Sequence, residues 1–233
     1  MTIRLAAGIA LIVVPIAFNV AFLELSRRFD YPNILRRPPD EILRRFDAGG
    51  AGLVLRWQAL LFSALALLVV VILLPEAIGV VGTLGIAMWS VGLAATLVQA
   101  IGLVRWPFAV PELARRYVEA EGPDESESRQ AIEVTFATLH RFLGVGIGEH
   151  LGYLLTGVWT LLVAVAIQSS PVLPGWLGLL GIPIGIALLV GTFEFVGPNE
   201  RDGWGLAGTI VPIAYVAWSI WLMALGAFLV LSP

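Results

Sequence analysis

Residues 148–167 read GEHLGYLLTGVWTLLVAVAI. The stretch is mostly apolar and has the ~20 residues a helix needs to cross a hydrocarbon core about 30 Å thick. Its head is the pair Glu149-His150. A charged side chain at the centre of a membrane helix costs about 2.5–3.5 kcal/mol on insertion. The pair therefore either lies at the membrane–water boundary or is compensated inside a helix bundle.

The rest of the chain has the same character. Of 233 residues, 58% are hydrophobic and 13% charged, and the mean hydropathy is +0.90. A soluble domain carries about 25% charged residues, so a multi-span membrane protein built as one membrane domain over residues 1–233 is the expectation. The net charge of −3 offers no basic footprint for nucleic acid. No cysteine is present, which excludes disulfides, thiolate nucleophiles and sulfur metal sites. All 14 basic residues are arginine, which removes any Schiff-base lysine.

Six apolar runs separate: about Leu5–Leu25, Leu53–Leu74, Val80–Val104, Gly148–Ile167, Trp176–Val196 and Leu206–Leu231. Lipid cannot satisfy the backbone and no alternating barrel pattern appears, so each run is expected as a helix. No Ala-x-Ala site follows the first run, which therefore reads as a span and not a cleaved leader. Thirteen of the 14 arginines fall in the gaps one–two, three–four and five–six, and only Arg4 lies on the other side. By the positive-inside rule those gaps face the cytoplasm and both termini face out, in a multi-pass protein of the cell (plasma) membrane.

The cytoplasmic gaps carry structure of their own. Between Pro38-Pro39 and Gly49-Gly50, Asp40 can cap a short helix, Glu41–Phe46, apolar at Ile42, Leu43 and Phe46 and basic at Arg44 and Arg45. That pattern predicts an interfacial helix on the inner leaflet. Glu119–Glu127 reads as an exposed acidic loop. Ile132–Leu143 is amphipathic and is expected along the inner face, with Gly144, Gly146 and Gly148 supplying a bend into the fourth span. Leu55-Arg56-Trp57 and Val104-Arg105-Trp106 echo each other as interface anchors. The expected fold is all-α: a polytopic six-transmembrane-helix bundle with cytoplasmic interfacial helices.

Polar residues concentrate in the cytoplasmic half: Asn19, Glu24, Arg56, Gln99, Arg105, Glu149, His150 and Glu194. On an α-helix Glu149, Tyr153, Thr156 and Thr160 share one face, and His150 points about 100° away. Two readings stand, an inward-facing pocket and separate boundary residues. In the pocket reading Arg56 and Arg105 are the expected partners of Glu149. His140 and His150 lie ~15 Å apart along a continuous helix and cannot jointly hold a metal or a haem. No phosphate loop, dinucleotide fingerprint, zinc-helix spacing or nucleophile elbow is present, so no metal and no cofactor is expected. Gly144, Gly148 and Gly152 form a small-residue row, as do Gly181 and Gly185, and such rows let helices approach closely.

Four stretches carry a family resemblance: FDYPNILRRPPDEILRRF (29–46), GLVRWPFAVPELARRY (102–117), HRFLGVGIGEHLGYLLTGVWT (140–160) and PIAYVAWSIWLMALG (212–226). Together they resemble the prokaryotic membrane family known as domain of unknown function 4386, over nearly the whole chain. The resemblance implies a small helical integral membrane protein and brings no catalytic roles with it. It also implies that Asp30-Tyr31-Pro32, Arg105-Trp106-Pro107 and Glu149-His150 belong to one cytoplasmic-side feature.

Three functions are compatible with these features. The favoured one is a non-enzymatic membrane protein that binds a small molecule, a lipid or a partner through Glu149, His150, Tyr153, Arg56, Arg105, Gln99, Asn19 and Glu194. The second is transport of protons or a small solute, with Glu149 and His150 exchanging; the outer halves of spans one, two and six offer few polar residues for it. The third is an intramembrane enzyme using Glu149 as general base, which no nucleophile or metal set accompanies. A membrane-protein partner, or a second copy docking through the glycine rows, is compatible with each.

Overall fold

The computed structural model describes residues 2–120 and 125–231, and its regular structure is entirely helical. Helix α1 (Ile3–Phe29) starts where Thr2 Oγ1 accepts from Leu5 N–H at 3.3 Å, and it ends at Asp30 in the left-handed conformation (φ 57°). A 3₁₀ turn (Asn33–Arg36) leads to α2 (Pro39–Leu65), which opens on proline, a residue that gives up no helical hydrogen bond there. Then follow α3 (Leu67–Ala77), α4 (Gly82–Glu119), α5 (Ser126–Leu139), a π-helical stretch (His140–Leu151), α6 (Gly152–Gln168), α7 (Gly175–Gly191) and α8 (Gly205–Leu231). Part of the expected acidic loop, residues 121–124, lies outside the described residues.

Among the described residues five stretches are long and apolar enough to cross a bilayer: Ile3–Phe29, Pro39–Ala77, Gly82–Glu119, Ser126–Gln168 and Gly205–Leu231. The 17 residues of α7 reach the lower limit. The helices close a ring in the order α1, α2/α3, α4, α6, α7, α8 and back to α1. Large apolar side chains cover its outside, among them Ile9, Val13, Ile16, Val20 and Leu23 on α1 and Ile213, Val216 and Ile220 on α8. Their spacing marks one outward face of each helix. An outer surface this apolar belongs in lipid, and the chain is an all-α polytopic membrane protein.

Two cores fill the ring. One joins α1, α3, α6, α7 and α8 around Leu11, Val71, Trp159 and Leu222. The other, at the arginine-rich end, joins the end of α1, α2, α4 and α5 around Phe29, Phe46, Trp57, Trp106 and Phe136. Here Trp57 and Trp106 stack at 4.3 Å, almost parallel at 5°. Both are fully enclosed, so neither is the interface anchor expected from its Arg-Trp motif. The short helix before Gly50 also turns inward. Gly50 (φ 52°, ψ −155°) breaks α2 as its sequence predicts, yet Ile42, Leu43 and Phe46 are buried in this second core. An apolar face beside so many aromatic rings packs onto them.

Two expected helix ends are absent. α4 continues past Arg105-Trp106-Pro107 to Glu119, 38 residues in all, because Trp106, Val110, Ala114 and Tyr117 keep one face buried beyond the proline. At ~1.5 Å per residue it is about 57 Å long and projects well beyond a bilayer core. The glycines at 144–148 make no sharp bend either. They lie in a π stretch, where the wider turn keeps the chain helical while α4 presses against it. A Cβ on Gly102 would stand 2.6 Å from the Gly148 Cα, and one on Gly144 would stand 2.5 Å from Arg105 Nη2. Gly152 meets Gln99, Gly181 meets Trp221, and Gly185 meets Leu161. Both glycine rows are thus occupied by the chain's own helices, the close helix approach their spacing predicts.

Candidate functional site

The π stretch and the turn after α7 enclose a cavity of about 160 Å³ at the arginine-rich end. Val145, Gly146, Glu149, His150 and Tyr153 line it from one side, and Gly191, Thr192, Glu194, Phe195 and Val196 from the other. Glu149 and His150 both line this cavity, although the step between neighbours on an α-helix was expected to point them about 100° apart.

His150 Nδ1 lies 2.8 Å from the Thr192 carbonyl oxygen. A carbonyl only accepts, so Nδ1 carries a proton and donates it. Thr192 is 5% exposed, and its hydroxyl oxygen has no hydrogen-bond partner. Glu149 Oε2 is likewise buried without one. Leaving such a group unpaired costs about 1–3 kcal/mol, and more when it is charged. Both orphaned oxygens belong to residues that line the cavity.

The charges around it balance. Arg36 Nη2 donates to Glu194 Oε1 at 2.8 Å, and Arg141 Nη2 donates to Glu200 Oε1 at 2.7 Å. Both guanidiniums also lie over the Phe195 ring, 4.5 and 5.4 Å from its centroid. Arg105, 6% exposed, donates to the Gly102 carbonyl, lies 3.5 Å from His140 Nδ1 and packs on Trp106. Among the described residues no carboxylate touches it. The cations within electrostatic reach of Glu149 are Arg36, Arg105 and Arg141, and the anion is Glu194.

The eight residues singled out from sequence divide. Glu149, His150, Tyr153 and Glu194 meet at the cavity. Arg105 stands behind it, and Gln99 holds Thr156 Oγ1 at 2.8 Å one turn beyond Tyr153. Arg56 does not partner Glu149: it donates to the Gly52 carbonyl and pairs with Glu24 at 3.7 Å. Asn19 lies elsewhere, donating to the Pro15 carbonyl and to Ser219 Oγ across the α1–α8 contact. Arg36, Arg141, Thr192 and Phe195 were not singled out. Thr192-Phe193-Glu194-Phe195, polar and aromatic in alternation at the end of an apolar span, was the signal available.

The loop after α1 closes the region. The Tyr31 ring stands 5.1 Å from that of Trp57, which stacks on Trp106. Burial pushes the Tyr31 hydroxyl up to about 12, the charge of Glu149 adds to this, and Arg105 opposes it. Tyr31 and Arg105 flank one aromatic stack, Tyr31 against Trp57 and Arg105 against Trp106. The hydrogen bond from Asn33 holds the exposed Asp30 carboxyl below its ordinary value, and Arg37 adds to this. A depressed carboxyl stabilises above its unfolded pKa and loses that contribution as pH falls through the folded one. The Asp30–Arg37–Glu41 chain is thus fully formed at neutral pH.

Among the described residues no three of His, Asp and Glu converge as a metal site would require. A search of the curated proteins and one of the solved structures found no match. A family model matches residues 6–231, and the chain belongs to the family described as Domain of unknown function (DUF4386).

Proposed function

We propose that this protein is a membrane-embedded, non-enzymatic binding protein whose site is the Glu149–His150–Thr192 cavity. The observation that carries this reading is the pair of buried, unpartnered oxygens, Glu149 Oε2 and Thr192 Oγ1, on two residues that line the cavity from opposite sides. A cavity of about 160 Å³ holds roughly five waters at ~30 Å³ each. It is smaller than the roughly 300–1,000 Å³ of sites for drug-sized ligands. The ligand is therefore a small polar group. A carboxylate only accepts, so the group that satisfies Glu149 must donate hydrogen bonds.

The test is thermal unfolding of the purified protein with ammonium, methylammonium, ethanolamine, guanidinium or acetamide. A ligand at 100 times its Kd adds about 2.7 kcal/mol, or roughly 5–10 °C in a chain of this size. At least one probe raises Tm in the wild type, and Glu149→Gln abolishes the rise. No rise with any probe, or the same rise in both proteins, refutes the reading.

Two other readings lack this support. Transport needs a polar path to the far end. The ladder Gln99–Thr156–Thr160–Trp218 climbs inside the bundle through bonds of 2.7–2.9 Å. Above it, Val163, Ala164, Ala166 and Ile167 are buried in apolar packing. An enzyme needs an activated nucleophile, and the Thr192 hydroxyl beside the cavity has no base bonded to it.

The cavity belongs on the cytoplasmic side of the cell membrane in this reading, because the arginine-rich gaps flank it. Cysteine labelling tests the placement, since the chain has no cysteine of its own. Val81, 86% exposed at the opposite end, and the exposed Asp47 are suitable positions. A membrane-impermeant maleimide added to intact cells labels the Val81→Cys variant, and reaches Asp47→Cys only after permeabilisation. The reverse pattern inverts the topology.

A further inference from the structure

The turn after α7 has two chemically opposite sides. Thr192 and Glu194 are buried toward the cavity, whereas Phe193 is 57% exposed and Val196 41%. The same few residues thus form a polar socket and an outward apolar surface continuous with the lipid-facing Ile186 of α7. Arg36 and Arg141 mark the rim between them, both lying on Phe195. Each holds one carboxylate, and a guanidinium has five N–H donors, so both keep donors for an anion.

Acceptors inside, cations at the rim and apolar surface beyond are complementary to one arrangement of chemical groups. It is an ammonium, then a phosphate, then acyl chain. We propose that the cavity seats the ethanolamine headgroup of a membrane phospholipid. Its ammonium donates to Glu149 and Thr192, its phosphate accepts from Arg36 and Arg141, and its chains lie along Phe193 and Val196. This rests on the cavity being a binding site, as argued above. A choline headgroup fits poorly. It has no N–H to satisfy the orphaned oxygens, and cation–π capture of a quaternary ammonium needs open aromatic faces, whereas Phe195 is covered by guanidiniums. A glycerol headgroup brings no positive charge to Glu149.

The full-length protein is titrated in detergent with short-chain phosphatidylethanolamine, phosphatidylcholine and phosphatidylglycerol, and with free phosphoethanolamine, and binding is read by native mass spectrometry. The ethanolamine lipid binds at least about tenfold more tightly than the other two lipids, the scale of one charge-assisted hydrogen bond. Glu149→Gln removes that preference. Phe193→Ala, which leaves the polar socket intact, weakens the lipid and not free phosphoethanolamine. Equal binding of the three lipids overturns the proposal. So does free phosphoethanolamine binding as tightly as the lipid. If small amines raise Tm while the ethanolamine lipid shows no preference, the lipid assignment falls and the binding cavity stands. If neither binds, both fall.

Discussion

Gly102→Val destabilises the protein by about 3 kcal/mol or more, which lowers Tm by roughly 6–12 °C in a chain of this size. A first side-chain carbon at residue 102 would stand 2.6 Å from the Gly148 Cα and 3.1 Å from the Leu143 carbonyl oxygen. Those neighbours are backbone, so no rotamer change relieves the clash, and α4 must retreat from the π stretch. Close helix approach is the main source of association in lipid, where burying apolar surface gains little. The retreat also pulls Arg105 from its seat on Gly144, so the substitution is expected to weaken binding at the Glu149 cavity. Gly205→Ala is the control: nothing lies within 4 Å of an added carbon there, and its effect stays within about 0.5 kcal/mol. Equal Tm values for the two variants contradict the crossing.

Trp106→Ala has an effect of similar size, about 3–5 kcal/mol. The Trp106 ring stacks on Trp57 and lies 5.8 Å from both Phe29 and Phe46, in an enclosed cluster. Removing it leaves a cavity in a packed core and takes the aromatic face from under Arg105. Trp176, 51% exposed on α7, is the comparison. If Trp106 were a membrane-interface anchor, as its Arg-Trp motif first reads, Trp106→Ala and Trp176→Ala would cost alike. The enclosed geometry predicts a several-fold larger loss at 106, read as Tm of the two purified variants.

The contrast at Trp106 shows what sequence could and could not convey. Apolar runs located the six membrane helices because lipid imposes length and hydropathy on every span. The same pattern could not distinguish an aromatic ring facing lipid from one facing another ring, since both surroundings are apolar. That is why Trp57 and Trp106 read as anchors and prove to be core. The π stretch was hidden for a related reason. Gly144, Gly146 and Gly148 signal close approach, but the choice between a bend and a wider turn depends on what α4 places against them, Gly102 and Arg105. Of the cavity's charges, Glu149 and Glu194 stood out as acids in apolar runs. Arg36 did not, because it lay among arginines that all served equally well to set the topology.

The proposed binding role requires an accessible cavity in which Glu149 selects for positive charge. Thr192→Cys tests it directly, because Thr192 lines the cavity and the chain has no other cysteine. The variant is modified with aminoethyl methanethiosulfonate, which carries an ammonium, and with sulfonatoethyl methanethiosulfonate, which carries an anion. Each rate is divided by that of the exposed Asp47→Cys variant. The ammonium reagent is expected to react at least about tenfold faster, the rate equivalent of about 1.4 kcal/mol of electrostatic preference, and Glu149→Gln should bring the ratio close to one. Equal normalised rates, or no modification by either reagent, would contradict the claim.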